Sequence, residues 1–125
     1  MRLLIKKLKE NAVIPARQTE FSAGYDLCAC TDVPVTIKAG QTEKIHTGIS
    51  AEVQGEKNCV GVVDWDYRGE IICALHNSSD KDYTINSGDR IAQLVITPVF
   101  TPEVEEVTEL SDTERGAGGF GSTGK

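Results

Sequence analysis

Apolar positions along this chain fall into short runs of Val, Ile, Leu and Thr parted by turn residues. No window of twelve or more residues keeps an apolar stripe at helical spacing without a Gly, a Pro or a turn cluster breaking it. Short β-rich runs recurring between turn signals are the pattern of a sandwich or barrel, so the fold class expected is all-β. The runs predict strands at 3–7, 25–29, 33–37, 42–50, 60–63, 70–77, 83–85 and 90–100. Residues 38–41 and 77–81 read as hairpin connections, and 86–89 supplies Gly88 for a positive φ. Two runs, 71–75 and 91–96, are almost continuously apolar, which suits a strand covered on both faces in a sandwich or at a subunit interface; Gln93 is the odd residue there. Val104, Val107 and Leu110 repeat every three residues, but they follow Pro102 among Glu103, Glu105, Glu106 and Glu109, so a bent edge strand is expected over a helical turn.

Length and charge narrow the classes. With 125 residues the chain makes one domain large enough to fold without a metal or disulfide staple. The division expected is a β domain over 1–110 and a glycine-rich arm over 111–125. A net charge of -6, with Lys6, Lys7 and Lys9 as the one basic cluster, argues against a nucleic-acid polymer as partner. No apolar run approaches a membrane span, and Lys6 and Lys7 interrupt the N-terminal run, so the expected location is cytoplasmic. Cys28, Cys30, Cys59 and Cys73 lack paired zinc spacing and read as reduced thiols, with His46 and His76 as ordinary histidines.

The residues richest in chemistry are Gly61-Val-Val-Asp-Trp-Asp-Tyr-Arg-Gly69. Alone, Asp64, Asp66 and Arg68 could be a solvated ion-pair cluster on a hairpin turn. Asp26, after Ala23-Gly-Tyr25, adds a carboxylate at a strand start, and Arg115 opens the arm Arg-Gly-Ala-Gly-Gly-Phe-Gly-Ser-Thr-Gly. Composition alone allows that arm to be a floppy terminus, yet Phe120, Ser122 and Thr123 suit closure over a flat ring and an anion. Carboxylates for a hydrated cation, an arginine and amides for phosphates, and aromatics for a ring together make a nucleoside triphosphate site. Gly116, Gly118 and Gly121 also satisfy GxGxxG, but no helix can follow them, so the dinucleotide fingerprint is rejected.

Four segments, Ala23-Gly-Tyr-Asp-Leu-Cys-Ala29, Asn58-Cys-Val-Gly-Val-Val-Asp-Trp-Asp-Tyr-Arg-Gly69, Gly88-Asp-Arg-Ile-Ala-Gln93 and the arm from Arg115 to Gly124, resemble the first, third, fourth and fifth signature motifs of the trimeric deoxyuridine triphosphatases, in order. The resemblance implies a jelly-roll β-sandwich or distorted barrel, a homotrimer with shared sites, and Mg-dependent hydrolysis of dUTP to dUMP and pyrophosphate. It implies that Asp64 orients the attacking water and holds the sugar 3'-hydroxyl, that Tyr67 packs on the deoxyribose and excludes a 2'-hydroxyl, and that Asn58 reads uracil. It further implies that Asp26 holds waters of the Mg shell, that Gln93 reaches the phosphates, and that Phe120 stacks on uracil while Arg115, Ser122 and Thr123 clamp the β- and γ-phosphates. Gln93 is also open to reading as a plain exposed strand residue. The family's second motif, an Arg-Ser segment, has no counterpart between Val53 and Asn58, which leaves a nucleotide-binding or regulatory module without turnover as the alternative.

Overall fold

The computed structural model describes residues 1–54 and 63–119; Asn58, Cys59, Phe120, Ser122 and Thr123 lie outside them. Eight strands are present among the described residues, and no helix: β1 (Arg2–Lys7), β2 (Tyr25–Cys28), β3 (Val35–Ile37), β4 (Thr42–His46), β5 (Ile49–Gln54), β6 (Ile72–His76), β7 (Tyr83–Ile85) and β8 (Arg90–Leu94). All pairings are antiparallel: β1 with β5, β2 with β8, β3 with β7 and β4 with β6. The last three nest inside one another, as when one long folded ribbon is rolled up, which is the jelly-roll plan.

That plan overturns both expected hairpins. The turn at 38–41, closed by Gln41 N donating to Lys38 O at 3.0 Å with Gly40 at a φ of 71°, joins β3 to β4, which do not pair. Residues 77–81 likewise carry the chain from β6 to β7. The two corners are bonded to each other, Gly40 N to Asn77 O and Asn77 N to Gln41 O, both at 2.9 Å. Buried Asn77 also donates Nδ2 to the carbonyls of Ile37 and Lys81 and accepts from Ser79 at Oδ1, so its polar atoms are satisfied. The corner at 86–89 matches expectation, with Gly88 at a φ of 92°.

Four strand expectations need correction. The run 42–50 breaks into β4 and β5 because Gly48 takes a φ of 67°, turning the chain from its partner β6 to its partner β1. The strand expected over 90–100 stops at Leu94, where the last pair, Tyr25 with Leu94, exhausts the four residues of β2. Of 60–63, only Val63 is described, and it lies in no strand. The edge strand expected around 104–110 is absent too: Val104 and Leu110 are 100% and 86% exposed, with no neighbouring edge in the described chain to supply a ladder.

Two apolar clusters form the core. Ala12, Leu27, Cys30, Ile49 and Ile71 make one, and Ala29, Ile37, Ile45 and Ile85 the other. The run 71–75 is not covered on both faces in the single chain, whereas 91–96 is partly covered at every position but Gln93. In β6, Cys73 and Leu75 turn inward while Ile72, Ala74 and His76 are exposed, because one chain provides no second layer there. Cys28, Cys30 and Cys73 are free thiols, and burial pushes the pKa of Cys28 and Cys73 up.

Candidate functional site

Chemistry-bearing side chains form two groups, and Leu94, Val95 and Ile96, which follow Gln93, line one cavity with Asp64, Trp65 and Tyr67. The first lies on β2 and β8, where Asp26 and Gln93 are register partners. Gln93 Nε2 donates to Asp26 Oδ1 at 3.2 Å, and Arg90 Nη1 approaches Oδ2 at 3.5 Å. Gln93 is an exposed strand residue, as the plainer reading held, yet it is turned onto this carboxylate. Arg90 and Gln93 are three positions apart and would face opposite sides of a regular strand. A β-bulge at the Leu27/Cys28 step, where Leu27 pairs with Ala92 but Cys28 with Arg90, places both on the Asp26 side. The Asp26 side chain is 12% exposed and that of Arg90 64%, so the carboxylate is held while the guanidinium still meets solvent. Gly24 keeps the strands close: a Cβ there would come 3.0 Å from Val95 Cγ2 and 3.2 Å from Gln93 Cβ.

The second group is the 64–70 turn. Tyr67 N donates to Asp64 O at 3.0 Å, closing it, and Arg68 Nη1 caps the carbonyls of Trp65 and Tyr67. Arg68 Nε reaches Glu52 at 3.6 Å rather than Asp64 or Asp66, so the ion-pair cluster that composition allowed does not form. Asp64 is exposed, and among the described residues its carboxylate has no hydrogen-bond partner. With Tyr67 it borders a cavity of about 370 Å³, completed by Val63, Glu70, Ile71 and Ile72. Tyr67 Oη donates to Glu70 O at 3.0 Å.

Glu70 secures the turn to the β4–β5 corner. Its Oε1 accepts from Gly48 N and its Oε2 meets His46 Nδ1, both at 2.8 Å. Burial by itself pushes the Glu70 carboxyl up, but the hydrogen bonds of His46 and Gly48 and the charges of His46 and Lys9 outweigh it and hold the pKa below its ordinary value. The strand that follows is fixed on the same corner, by Ile71 N donating to Ile49 O at 2.9 Å and Thr47 Oγ1 to Ile71 O at 2.6 Å.

Of the residues expected from sequence, Asp26 and Gln93 meet directly, and Asp64 and Tyr67 share one cavity. Among the described residues no hydrogen bond or ion pair links the two groups. Arg115 is exposed in a tight turn, its carbonyl accepting from Gly118 N at 3.1 Å, and among the described residues it has no hydrogen bond or ion pair with either group. Asn58, Phe120, Ser122 and Thr123, expected to contact the nucleotide, lie outside the described residues. Arg90 and Glu70 were missed; Arg90 lay in plain view in Gly88-Asp-Arg-Ile-Ala-Gln93, but the bulge that aims it leaves no mark in the apolar pattern. Among the described residues no three His, Cys, Asp or Glu side chains are grouped to hold a metal ion directly.

The family model described as dUTPase matches residues 10–60 and 50–124. The chain is 46% identical to the deoxyuridine 5'-triphosphate nucleotidohydrolase of Nautilia profundicola, with all of both chains covered. It is 43% identical to that of Paramecium bursaria Chlorella virus 1, over 98% of this chain and 97% of the relative. Among solved structures it is similar to the Staphylococcus bacteriophage 80alpha dUTPase with dUPNHPP, at 28% identity, a TM-score of 0.83 and 99% coverage of each chain. The family match comes in two pieces that overlap over 50–60. The alignment with the Nautilia relative runs to 144 positions against 125 residues, leaving 19 positions with no residue of this chain.

Proposed function

This chain belongs to the dUTPase family, and from that premise we propose that it hydrolyses dUTP to dUMP and pyrophosphate by attack of water on the α-phosphorus. The observation that carries this reading is the Asp64 carboxylate, without a hydrogen-bond partner among the described residues, beside Tyr67 at a cavity on a turn tied to the β4–β5 corner. A carboxylate with no internal partner can accept a hydrogen bond from water and raise its nucleophilicity, while its second oxygen takes the sugar 3'-hydroxyl. The Tyr67 phenol is held by Glu70 O, so its ring offers a fixed face to a deoxyribose and no room for a 2'-hydroxyl. Asn58 reads the uracil edge and Phe120 covers the ring. Gln93, Arg115, Ser122 and Thr123 take the phosphates, the last three on the arm over 111–125 as it closes on the 1–110 domain of a neighbouring subunit.

The donor set suits a Mg ion held mostly by substrate. A single carboxylate, Asp26, with no cage of acids around it, fits contact through water and not direct chelation. The chemistry that Mg supplies there is neutralisation of charge on the pyrophosphate leaving group. Asp26 orients the ion's waters, and Gln93 and Arg90 hold Asp26 in place to do so.

A homotrimer is part of the proposal. Among the described residues no hydrogen bond or ion pair joins Asp26 and Gln93 to Asp64 and Tyr67, and a second subunit that adds its own groups would complete the set around a single triphosphate. The exposed Ile72, Val104 and Leu110 offer apolar surface for that assembly. The free thiols agree with the reducing cytoplasm as the proposed location.

The test is pyrophosphate release from dUTP with Mg, beside UTP and dCTP at matched concentration, in the native sequence and in Asp64→Asn. Release from dUTP that falls by about 10²–10⁴ in the variant, with nucleotide binding retained, is expected; an unchanged rate would remove Asp64 from the mechanism. Binding of a non-hydrolysable dUTP analogue without any release would mark a nucleotide-binding module instead.

A further inference from the structure

We propose that Glu70 is the positioning residue of the 64–70 turn, fixing where the Tyr67 ring stands, and that Gly69 provides the space the ring occupies. The proposal deepens the functional reading above and rests on it for the role of Tyr67.

Among the described residues the turn lies in no strand; Arg68 reaches Glu52 of β5 at 3.6 Å, and Glu70 ties the turn more closely, at both ends of that residue. The Glu70 carbonyl accepts from Tyr67 Oη at 3.0 Å, while its carboxylate accepts from Gly48 N at 2.8 Å and pairs with His46 Nδ1 at 2.8 Å. Thr47 and Ile49, on either side of Gly48, are 1% and 0% exposed, so the Gly48 end of the anchor sits against the core, while the His46 side chain is 52% exposed. Only 22% of the Glu70 side chain is exposed, which keeps water from replacing these bonds cheaply. Gly69 completes the device: a Cβ there would overlap the Tyr67 phenol and drive the ring off its seat. Rejection of a 2'-hydroxyl is steric and depends on ring placement to within about an ångström, so loosening Glu70 should cost selectivity as well as rate.

Trp65, the single tryptophan of the chain, lies in the same turn and reports its order without any reference to turnover. Glu70→Ala, Glu70→Gln and Gly69→Ala are made in the full-length protein. Each is read by kcat and KM for dUTP and UTP, by acrylamide quenching of Trp65 and by thermal melting. Glu70→Ala is expected to narrow the dUTP-to-UTP preference by roughly tenfold or more and to raise Trp65 quenching. Glu70→Gln keeps an oxygen acceptor for Gly48 N and is expected to recover most of both. A folded Glu70→Ala with unchanged preference and unchanged quenching overturns the proposal. Should Glu70→Ala not fold, Gly69→Ala reads the same displacement: higher quenching with narrowed preference supports the proposal, and native values overturn it. If the native protein releases no pyrophosphate from dUTP, the functional reading fails by itself. Quenching then decides the role of Glu70: a rise in Glu70→Ala reversed in Glu70→Gln supports it, and no rise overturns it.

Discussion

Replacing Gly48 with alanine puts two separable strains on the corner that holds the candidate site. Gly48 has a φ of 67°, where an L-residue costs about 1–2 kcal/mol. Its Cβ would stand 2.8 Å from Cys30 Sγ and 2.9 Å from Ala12 Cβ. Cys30 and Ala12 are 1% and 4% exposed in the core, so neither can step aside, and overpacking of that kind adds about 1–3 kcal/mol. The total, about 2–5 kcal/mol, is a large share of the about 5–15 kcal/mol that holds a domain folded. Gly40 is the internal control, with a φ of 71° and nothing within 4 Å of an added Cβ, so Gly40→Ala carries the conformational cost alone. Chemical denaturation followed by circular dichroism, at one fixed protein concentration, gives both values. Gly48→Ala should lose about 1–3 kcal/mol more than Gly40→Ala. Equal losses would refute the close packing of Gly48 against Cys30 and Ala12.

Two further outcomes follow from the site. The folded-state pKa of Glu70 lies below its unfolded value of 4.5, so its contribution to stability is fully present above that value and disappears as pH falls through the folded one. The urea midpoints of the native protein and Glu70→Gln should therefore differ near neutrality and converge on acidification; a constant gap would count against the ionic role. Arg90→Met should raise KM for dUTP several-fold through a displaced Asp26, while the thermal midpoint barely moves, because a pair with one partner 64% exposed adds little stability. A large drop in the midpoint with KM intact would assign Arg90 to the fold instead of the site.

The strand positions were legible because Val, Ile and Thr runs mark them locally, and 83–85 is matched residue for residue by β7. Their partners were not legible. Every pairing joins strands distant in sequence, so a turn such as 38–41 looks like a hairpin until Gly40 and Asn77 are seen bonded across two corners. Gly48 hid inside a good strand run because the need for positive φ arises from what lies opposite, Cys30 and Ala12. In the site, motif order picked out Asp26 and Gln93, and the register Asp26 with Gln93 accounts for their contact. Arg90 escaped since a bulge reverses which face it occupies, and Glu70 because its importance lies in Gly48 N and His46, more than twenty positions earlier.

The two halves of the candidate site depend on different parts of the fold, and this bears on what the shortened 50–60 region can disturb. Asp26, Gln93 and Arg90 are held by the β2–β8 ladder and its bulge. Asp64 and Tyr67 are held through Glu70 by the β4–β5 corner, whose own register is set by β6 on one side and β1 on the other. Among the described residues the β1–β5 pairing extends to Arg2 with Gln54, where Arg2 Nη2 donates to Gln54 Oε1 at 2.9 Å. The anchors named for both halves lie outside 55–62, on β2, β8 and the β4–β5 corner. Under the proposed function, the positive charge of the missing Arg-Ser segment would have to come from Arg115 and from the solvent-facing guanidinium of Arg90.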